Sequence, residues 1–280
     1  MSNGVSPTSA RPPELRARSR FGIPWPVAHQ VERVEHFFRH VGAVTILIRR
    51  TMRAAFTTRF EPRAFIYQVE QLGVRSLGIG AATAIFVGIV MAIQFAFSLE
   101  RFGAKDTVGR IVGLSEAREL APSLTALVVG SRIAAGMAAE IGSMAVTEQI
   151  DAIRALGADP IKKLVVPRML AGVIIMPLIT CIALVLGVAS ALVVSRISFG
   201  IPAPFFLSSA LDAVSMQDFL SGIGKTPFFG FLIAILGCYY GFNTTGGTEG
   251  VGRSTTTAVV VVSITILVAD ALLTQLFLSI

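Results

Sequence analysis

Charged side chains are scarce in this chain, at 15% of 280 residues, whereas 53% are hydrophobic. A soluble domain of this length could not usefully bury so much apolar surface, so the composition predicts a membrane protein. Cysteine is scarcer still, and Cys181 and Cys238 both lie within apolar runs. Such cysteines are typical of small buried hydrophobes, so we expect neither a disulfide nor a metal pair between them.

Catalytic and nucleotide-binding motifs are absent from the sequence. There is no G-x-x-x-x-G-K-[ST], no G-x-S-x-G and no H-E-x-x-H. The glycine-rich run Gly246 to Arg253 lacks the Lys-Ser/Thr ending that would hold a phosphate, and we interpret Asn243 to Arg253 as a tight turn. We therefore expect no enzyme activity in this chain, no metal site and no cofactor of its own.

Basic residues are concentrated near the start of the chain. Residues 1–75 hold twelve Lys or Arg against five Asp or Glu, and the rest holds twelve of each kind. Basic segments ahead of membrane helices are typical of cytoplasmic regions that face anionic lipid headgroups, so we do not expect nucleic acid as a partner. Residues 1–25 are predicted to be a disordered basic tail.

Residues 26–61 have the pattern of an amphipathic helix. Apolar residues recur at near-helical spacing, while Arg33, Arg39 and Arg49 fall mostly elsewhere. We predict a helix lying in the membrane interface, and the alternative is an ordinary packed soluble helix. Its histidines, His29, His36 and His40, have no nearby cysteine or carboxylate cluster that would complete a metal site.

Residues 62–280 are predicted to form an all-α integral membrane domain with five transmembrane helices. The predicted spans cover about residues 76–99, 115–139, 169–195, 226–242 and 254–277. The apolar stretch from Ile197 to Leu211 is too short and too rich in proline to span, so we expect an interfacial or re-entrant element there. With the N-terminus in the cytoplasm, eighteen Lys or Arg lie inside and six outside, and this asymmetry favours that orientation.

A polar segment follows the second predicted span directly. The span is rich in glycine, alanine and serine, which let helices pack closely in lipid. Glu148, Gln149, Asp151 and Arg154 come next and belong at a water-exposed surface. We predict a short cytoplasmic helix that docks onto a soluble partner, and the alternative is a solvated loop.

Four charges fall near the outer ends of three predicted spans. Asp270 lies about 24 Å along the fifth span from its inner end, while Lys225 begins the fourth and Arg118 and Glu119 begin the second. Charges at this depth are costly and are stabilised by pairing or by a water-filled cavity. We predict that they line the outward mouth of a pathway able to meet a phosphate headgroup, and the alternative is snorkelling to the interface.

Three segments of the sequence resemble those of a known family. The strings TALVVGSRIAAGMAAEIGSMAVTEQIDAIRALGADPIKKLVVPR, GTEGVGRSTTTAVV and LVAD are similar to those of the MlaE (YrbE) family of permeases. That family belongs to ABC systems that move lipids with MCE-domain proteins. The resemblance covers roughly Glu61 to Ile280 and is densest from Glu119 to Pro167.

The resemblance implies a homodimeric permease in the bacterial cytoplasmic (inner) membrane, with an MCE-domain protein on the outer side. Phospholipid or a related lipid is the implied substrate, and ATP and Mg are bound by separate cytoplasmic ATPase subunits. The implied coupling helix falls at about Glu140 to Leu156 and carries Glu140, Thr147, Glu148, Gln149, Asp151 and Arg154. Arg118, Glu119, Lys225 and Asp270 match positions around the family's outward-open lipid cavity. Lipid tails are expected in an apolar pocket between the first, second and fifth spans.

Two other functions remain open from the residues alone. An ion- or proton-coupled secondary transporter could use Asp270, Glu119 and Lys225 as a relay, although five spans without an inverted repeat argue against the usual architecture. A structural membrane scaffold is the third possibility, but a scaffold would not need an intramembrane acid.

Overall fold

A computed structural model describes residues 25–57 and 61–279. Apart from residue 25, the predicted basic tail lies outside the described residues, as do the side chains of His29 and His36. The chain divides into two compact units, one ending at Ile46 and one running from Leu47 to Ile280.

The part of the chain that the structure describes is helical, without strands. Its α-helices are α1 (Trp25–Thr57), α2 (Pro62–Val69), α3 (Arg75–Glu100), α4 (Val108–Ser115), α5 (Ala121–Val146), α6 (Gln149–Ala155), α7 (Val166–Phe199), α8 (Ala203–Ala213), α9 (Met216–Phe242) and α10 (Gly247–Leu278). The helix predicted from residue 26 is present as α1, and exposed apolar side chains such as Ile46 and Phe56 fit an interfacial position, which stays a prediction.

The five predicted spans are confirmed. Five helical stretches are long and apolar enough to cross a membrane: Pro62–Glu100, Lys105–Val146, Ile161–Phe199, Met216–Phe242 and Gly247–Phe277. Each helical stretch is longer than its predicted span. The predicted spans ended at charged residues, where the apolar run ends, but the helices continue past those residues. In the first two, a π-helical turn joins two α-helical parts, at Glu70–Val74 and Glu116–Leu120. The third stretch begins with a π-helical turn, Ile161–Val165, which leads directly into α7.

The turn expected over Asn243 to Arg253 is shorter than predicted. Gly246 and Gly247 have φ of +89° and +66°, values that favour glycine, and α10 begins at Gly247. Glu249 and Arg253 are therefore helical and form an exposed i,i+4 ion pair of 3.2 Å. The many glycines in this segment led to the prediction of a long turn, but Gly250 and Gly252 lie inside the first turns of α10.

The stretch from Ile197 to Leu211 does not span, in agreement with its interpretation. The chain leaves α7 at Gly200, whose φ is +69°, and then forms the short helix α8. Phe206 of α8 is 1% exposed, and its backbone lies against Gly109 of α4. The short helix is thus packed onto the beginning of the second spanning stretch.

Close helix packing in the bundle depends on glycine at the crossing of α7 and α9. A Cβ on Gly230 would collide with the carbonyl oxygen of Gly172, and a Cβ on Gly172 would lie 2.8 Å from the carbonyl oxygen of Gly230. Around this crossing, α5 packs against α9 and α10, and α7 packs against α3. In lipid there is no hydrophobic driving force between helices, so their association depends on van der Waals packing. Small residues at the contact allow the backbones to approach closely enough for that packing.

We expect Gly230→Ala to destabilise the fold by about 1 to 3 kcal/mol, because the obstructing atom is backbone and cannot turn aside. Thermal unfolding of the purified chain in detergent measures the effect. Gly78→Ala is the matched control, since a Cβ there meets nothing within 4 Å. Equal unfolding temperatures for the two variants would contradict the close approach of α7 and α9.

Candidate functional site

The four charged residues predicted near one end of the spans come together in the structure. Arg118 and Glu119 lie in the π-helical turn before α5, Lys225 lies in α9, and Asp270 lies in α10. Pro122 follows the π-helical turn within the first residues of α5. π-Helical turns are rare and frequently occur at functional sites. This one carries both charges that the second spanning stretch contributes to the cluster.

Lys225 is the centre of the cluster and is 2% exposed. Its Nζ donates to Glu119 Oε1 at 2.8 Å and to Thr274 Oγ1 at 2.7 Å. Asp270 Oδ1 and the carbonyl oxygen of Arg118 lie further away, at 3.4 Å and 3.3 Å. The buried ammonium is therefore surrounded by acceptors from the two other elements, which is the condition under which a charge can be buried.

The two carboxylates around Lys225 are held by hydroxyl groups. Thr274 Oγ1 lies 3.0 Å from Glu119 Oε1, so its hydroxyl can donate to Glu119 while it accepts from Lys225. Ser123 Oγ donates to Asp270 Oδ2 at 2.6 Å. These hydroxyls fix the carboxylate orientations and link α5 to α10 independently of the ammonium.

Arg118 has a different partner, Asp218, which the sequence analysis did not identify. Arg118 Nε donates to Asp218 Oδ1 at 2.7 Å. Asp218 is also the N3 residue of a capping box at the start of α9, where it accepts from the Ser215 backbone N–H at 3.0 Å. The Arg118 side chain is 43% exposed, so it faces open space, whereas Lys225 does not.

Helical spacing could have identified the missed residues. Asp218 precedes Lys225 by seven residues, or two turns, and so lies on the same face of α9. Ser123 follows Glu119 by four residues, and Thr274 follows Asp270 by four. A search for polar residues at these spacings from each charge would have given Asp218, Ser123 and Thr274 as candidates. Spacing along one helix does not predict which residue of another helix each candidate contacts.

A cavity of about 810 Å³ opens beside the charges. Its walls come from the second, fourth and fifth spanning stretches, and its lining residues are Arg118, Glu119, Ser215, Gln217, Asp218, Leu220, Ser221, Lys225, Thr274 and Phe277. The apolar pocket that we expected between the first, second and fifth spans is therefore not this cavity. Gly222 sits behind the lining, where a Cβ would collide with the carbonyl oxygen of Ala117.

The predicted docking segment forms α6, which begins after a sharp bend. Thr147 ends α5, and Glu148 has φ of +59°, an uncommon value for a residue with a side chain. Ile150 is 4% exposed and anchors α6, whereas Asp151 and Arg154 form an exposed ion pair of 2.8 Å. Gln149 also lies on this helix and donates to Thr147 Oγ1 at 3.1 Å.

Glu140 is placed apart from the rest of the predicted coupling set. It lies within α5, two turns before its end, and forms an ion pair of 2.7 Å with Arg168 of α7. Arg168 is 3% exposed and also donates to the Leu164 carbonyl oxygen at 2.8 Å. The pair ties α5 to α7, and the coupling helix is shorter than the Glu140 to Leu156 segment that the resemblance implied.

We expect Lys225→Met to destabilise the protein by about 3 to 5 kcal/mol, because it leaves two partly buried carboxylates without their cation. Thermal unfolding in detergent measures the loss. Lys163→Met is the matched control, since Lys163 pairs with Glu61 at 2.8 Å with both side chains about half exposed. Its expected cost is below about 1 kcal/mol. Similar losses in both variants would show that the cluster is not held by Lys225.

Known proteins match most of the chain. Residues 65–276 match the family model described as Permease MlaE. A probable ABC transporter permease protein of Synechocystis is 40% identical over 240 residues, which is 86% of this chain and 91% of that protein. One of Rickettsia prowazekii is 41% identical over 212 residues, or 76% of this chain and 82% of that protein.

A plant protein is also similar. The chloroplastic protein TRIGALACTOSYLDIACYLGLYCEROL 1 of Arabidopsis thaliana is 39% identical over 215 residues, covering 77% of this chain and 61% of the plant protein. Five apolar helices and the matched family together indicate a multi-pass membrane protein and a transporter subunit. The chain belongs to the MlaE permease family.

Proposed function

We propose that this chain is the membrane subunit of an ABC transporter that moves phospholipid, or a related lipid, between the inner membrane and an MCE-domain protein. ATP and Mg are bound and ATP is hydrolysed in separate cytoplasmic subunits, and two copies of this chain form the permease. The observation that carries the proposal is the cavity of about 810 Å³, in which charged and apolar groups share one wall.

The cavity suits an amphiphile because both charged and apolar residues line it. Arg118 is the cation that a headgroup phosphate can reach, since its side chain is 43% exposed, whereas Lys225 is enclosed. Leu220 and Phe277 line the same cavity and can contact the first part of an acyl chain. In this arrangement Arg118 binds the headgroup, while Lys225 holds Glu119 and Asp270 in place.

Open helix faces support a homodimer. The most apolar part of α10 is only 22% buried within one chain, whereas that of α9 is 50% buried. Val260, Ile264 and Leu267 are among the exposed apolar residues of α10. A second copy packed on this face brings two cavities together and encloses the acyl chains between them.

The placement of partners follows from the two ends of α5. The cytoplasmic end continues into α6, whose exposed Glu148 and Asp151 offer a docking surface to an ATPase. The opposite end bears the charged cavity, beside which an MCE-domain protein receives or delivers lipid. The excess of Lys and Arg on the α6 side favours a cytoplasmic N-terminus. The name of the plant relative is that of a lipid, trigalactosyldiacylglycerol, which also supports a lipid substrate.

Transfer of fluorescent phospholipid from proteoliposomes to the MCE-domain protein tests the function directly. The proteoliposomes contain the full chain with its ATPase, and we expect transfer that requires ATP and Mg. Arg118→Gln should slow this transfer severely because the headgroup loses its cation, while Arg110→Gln, at an exposed position of α4, should not. Unchanged transfer by Arg118→Gln would remove Arg118 from the pathway.

The same assay decides between this function and a proton-coupled secondary transporter. A buried ammonium between Glu119 and Asp270 is also the arrangement that a proton relay requires. Transfer that persists without nucleotide and stops when a protonophore is added would establish the relay. We expect the opposite result, loss of transfer without nucleotide and no effect of the protonophore.

Asp151→Lys tests the proposed docking surface of α6. We expect ATP-dependent transfer to fall to the level without nucleotide, because the change reverses a charge on the exposed docking face without altering a buried contact. Glu249→Lys is the matched control, since Glu249 is an exposed carboxylate in the first turn of α10. Co-purification of the ATPase reports docking separately, and full retention of the ATPase by Asp151→Lys would contradict the assignment.

A further inference from the structure

A second polar cavity lies toward the other end of α5. It measures about 350 Å³ and lies between the first and second spanning stretches, lined by Gln68, Gln71, Leu72, Arg75, Arg132, Ile133, Gly136, Met137 and Glu140. Along α5, Arg132 and Glu140 are 13 and 21 residues beyond Glu119, or about 20 and 32 Å. The hydrocarbon core of a bilayer is about 30 Å thick, so the second cavity lies near the opposite membrane interface.

The second cavity carries an excess of positive charge. Arg75 and Arg132 both line it, and neither forms an ion pair with a carboxylate of the described residues. Glu140 is the one carboxylate in the lining, and its charge is balanced by Arg168. Arg75 and Arg132 are both exposed, so their guanidinium groups are accessible to an anion that enters the cavity.

Neutral hydrogen-bonding groups border the same space. Arg132 Nη1 donates to the Ser76 hydroxyl at 2.6 Å, which fixes one edge of the guanidinium and leaves its other N–H groups for a ligand. The Gln68 side chain is 8% exposed, and its amide makes no hydrogen bond to another described side chain, although it lines the cavity. The amide atoms of Gln68 are not among the fully enclosed atoms that lack a partner, so the amide borders the open space of the cavity and can bond to a ligand there.

We propose that this cavity binds the phosphate group of a phospholipid in the membrane leaflet on the α6 side. Guanidinium groups suit a phosphate because they offer paired N–H donors to its oxygens, and Gln68 supplies a further donor. Leu72, Ile133 and Met137 form the apolar part of the lining, as an acyl chain requires. Val74 and Ile79, exposed on the neighbouring surface of the first spanning stretch, are suited to continue this contact into the bilayer.

This site does not depend on the outer cavity. The two cavities both have a wall on the second spanning stretch, Lys105–Val146, but share no lining residue, so each can be removed without touching the other. The chain thus presents one phosphate site near each membrane interface. A lipid that crosses the bilayer leaves one such site and enters the other.

Native mass spectrometry of the full chain, released from nanodiscs of phosphatidylcholine and phosphatidylglycerol, tests the proposal by counting bound phosphatidylglycerol. We expect Arg75→Gln to lose one phosphatidylglycerol per chain relative to the unmodified protein, and Arg110→Gln to lose none. Gly136→Phe should have the same effect as Arg75→Gln, because it fills the cavity without removing a charge. Gly78→Phe is its control, since Gly78 is also exposed and a Cβ there meets nothing within 4 Å.

Inorganic phosphate distinguishes the two sources of the anion. If the site takes a lipid headgroup, added phosphate leaves the bound phosphatidylglycerol in place. If added phosphate displaces it and appears as an adduct that Arg75→Gln abolishes, the anion site stands but its ligand is soluble phosphate. Equal phosphatidylglycerol counts in Arg75→Gln, Gly136→Phe and their folded controls would overturn the proposal, whatever the outer cavity binds.

Discussion

Burying one ammonium group among membrane helices is the constraint on which the rest of the site depends. Lys225 is 2% exposed, and neither water nor lipid can solvate it there, so its acceptors must come from protein. Glu119, Thr274 and Asp270 supply them from two other elements. The charge therefore fixes the position of α9 along α5 and α10. Packing of apolar side chains alone would specify that position less strictly.

Backbone proximity makes this arrangement possible. Gly222 lets α9 approach the π-helical turn, where a side chain would collide with the carbonyl oxygen of Ala117. One residue further, the carbonyl oxygen of Arg118 lies 3.3 Å from Lys225 Nζ. The π-helical turn interrupts the regular α-helical hydrogen-bond pattern at the point where this carbonyl group meets Lys225. The glycine at position 222, the π-helical turn and the buried charge of Lys225 thus meet at the same contact between the second and fourth spanning stretches.

The spans and the clustering of four charges could be predicted from the sequence, whereas their partners could not. Apolar length reports membrane crossing, and depth along a helix brought Arg118, Glu119, Lys225 and Asp270 to one level. Pairing depends on rotation about each helix axis, which hydropathy does not report for residues such as Asp218. Arg168 shows the same limit, because it lies just before the predicted third span, where a charge would be expected to face water, yet it is 3% exposed and paired with Glu140.

The helix α5 connects the two cavities with α6. The π-helical turn before it carries Glu119, its middle carries Arg132, and its end passes through Thr147 into α6. The ion pair of Glu140 with Arg168 fixes this end to α7, so a displacement of α6 cannot be absorbed by local bending of α5 alone. A partner that moves α6 must therefore shift α5 with α7. Both cavities then change shape, because each has a wall on the second spanning stretch, of which α5 is the longer part.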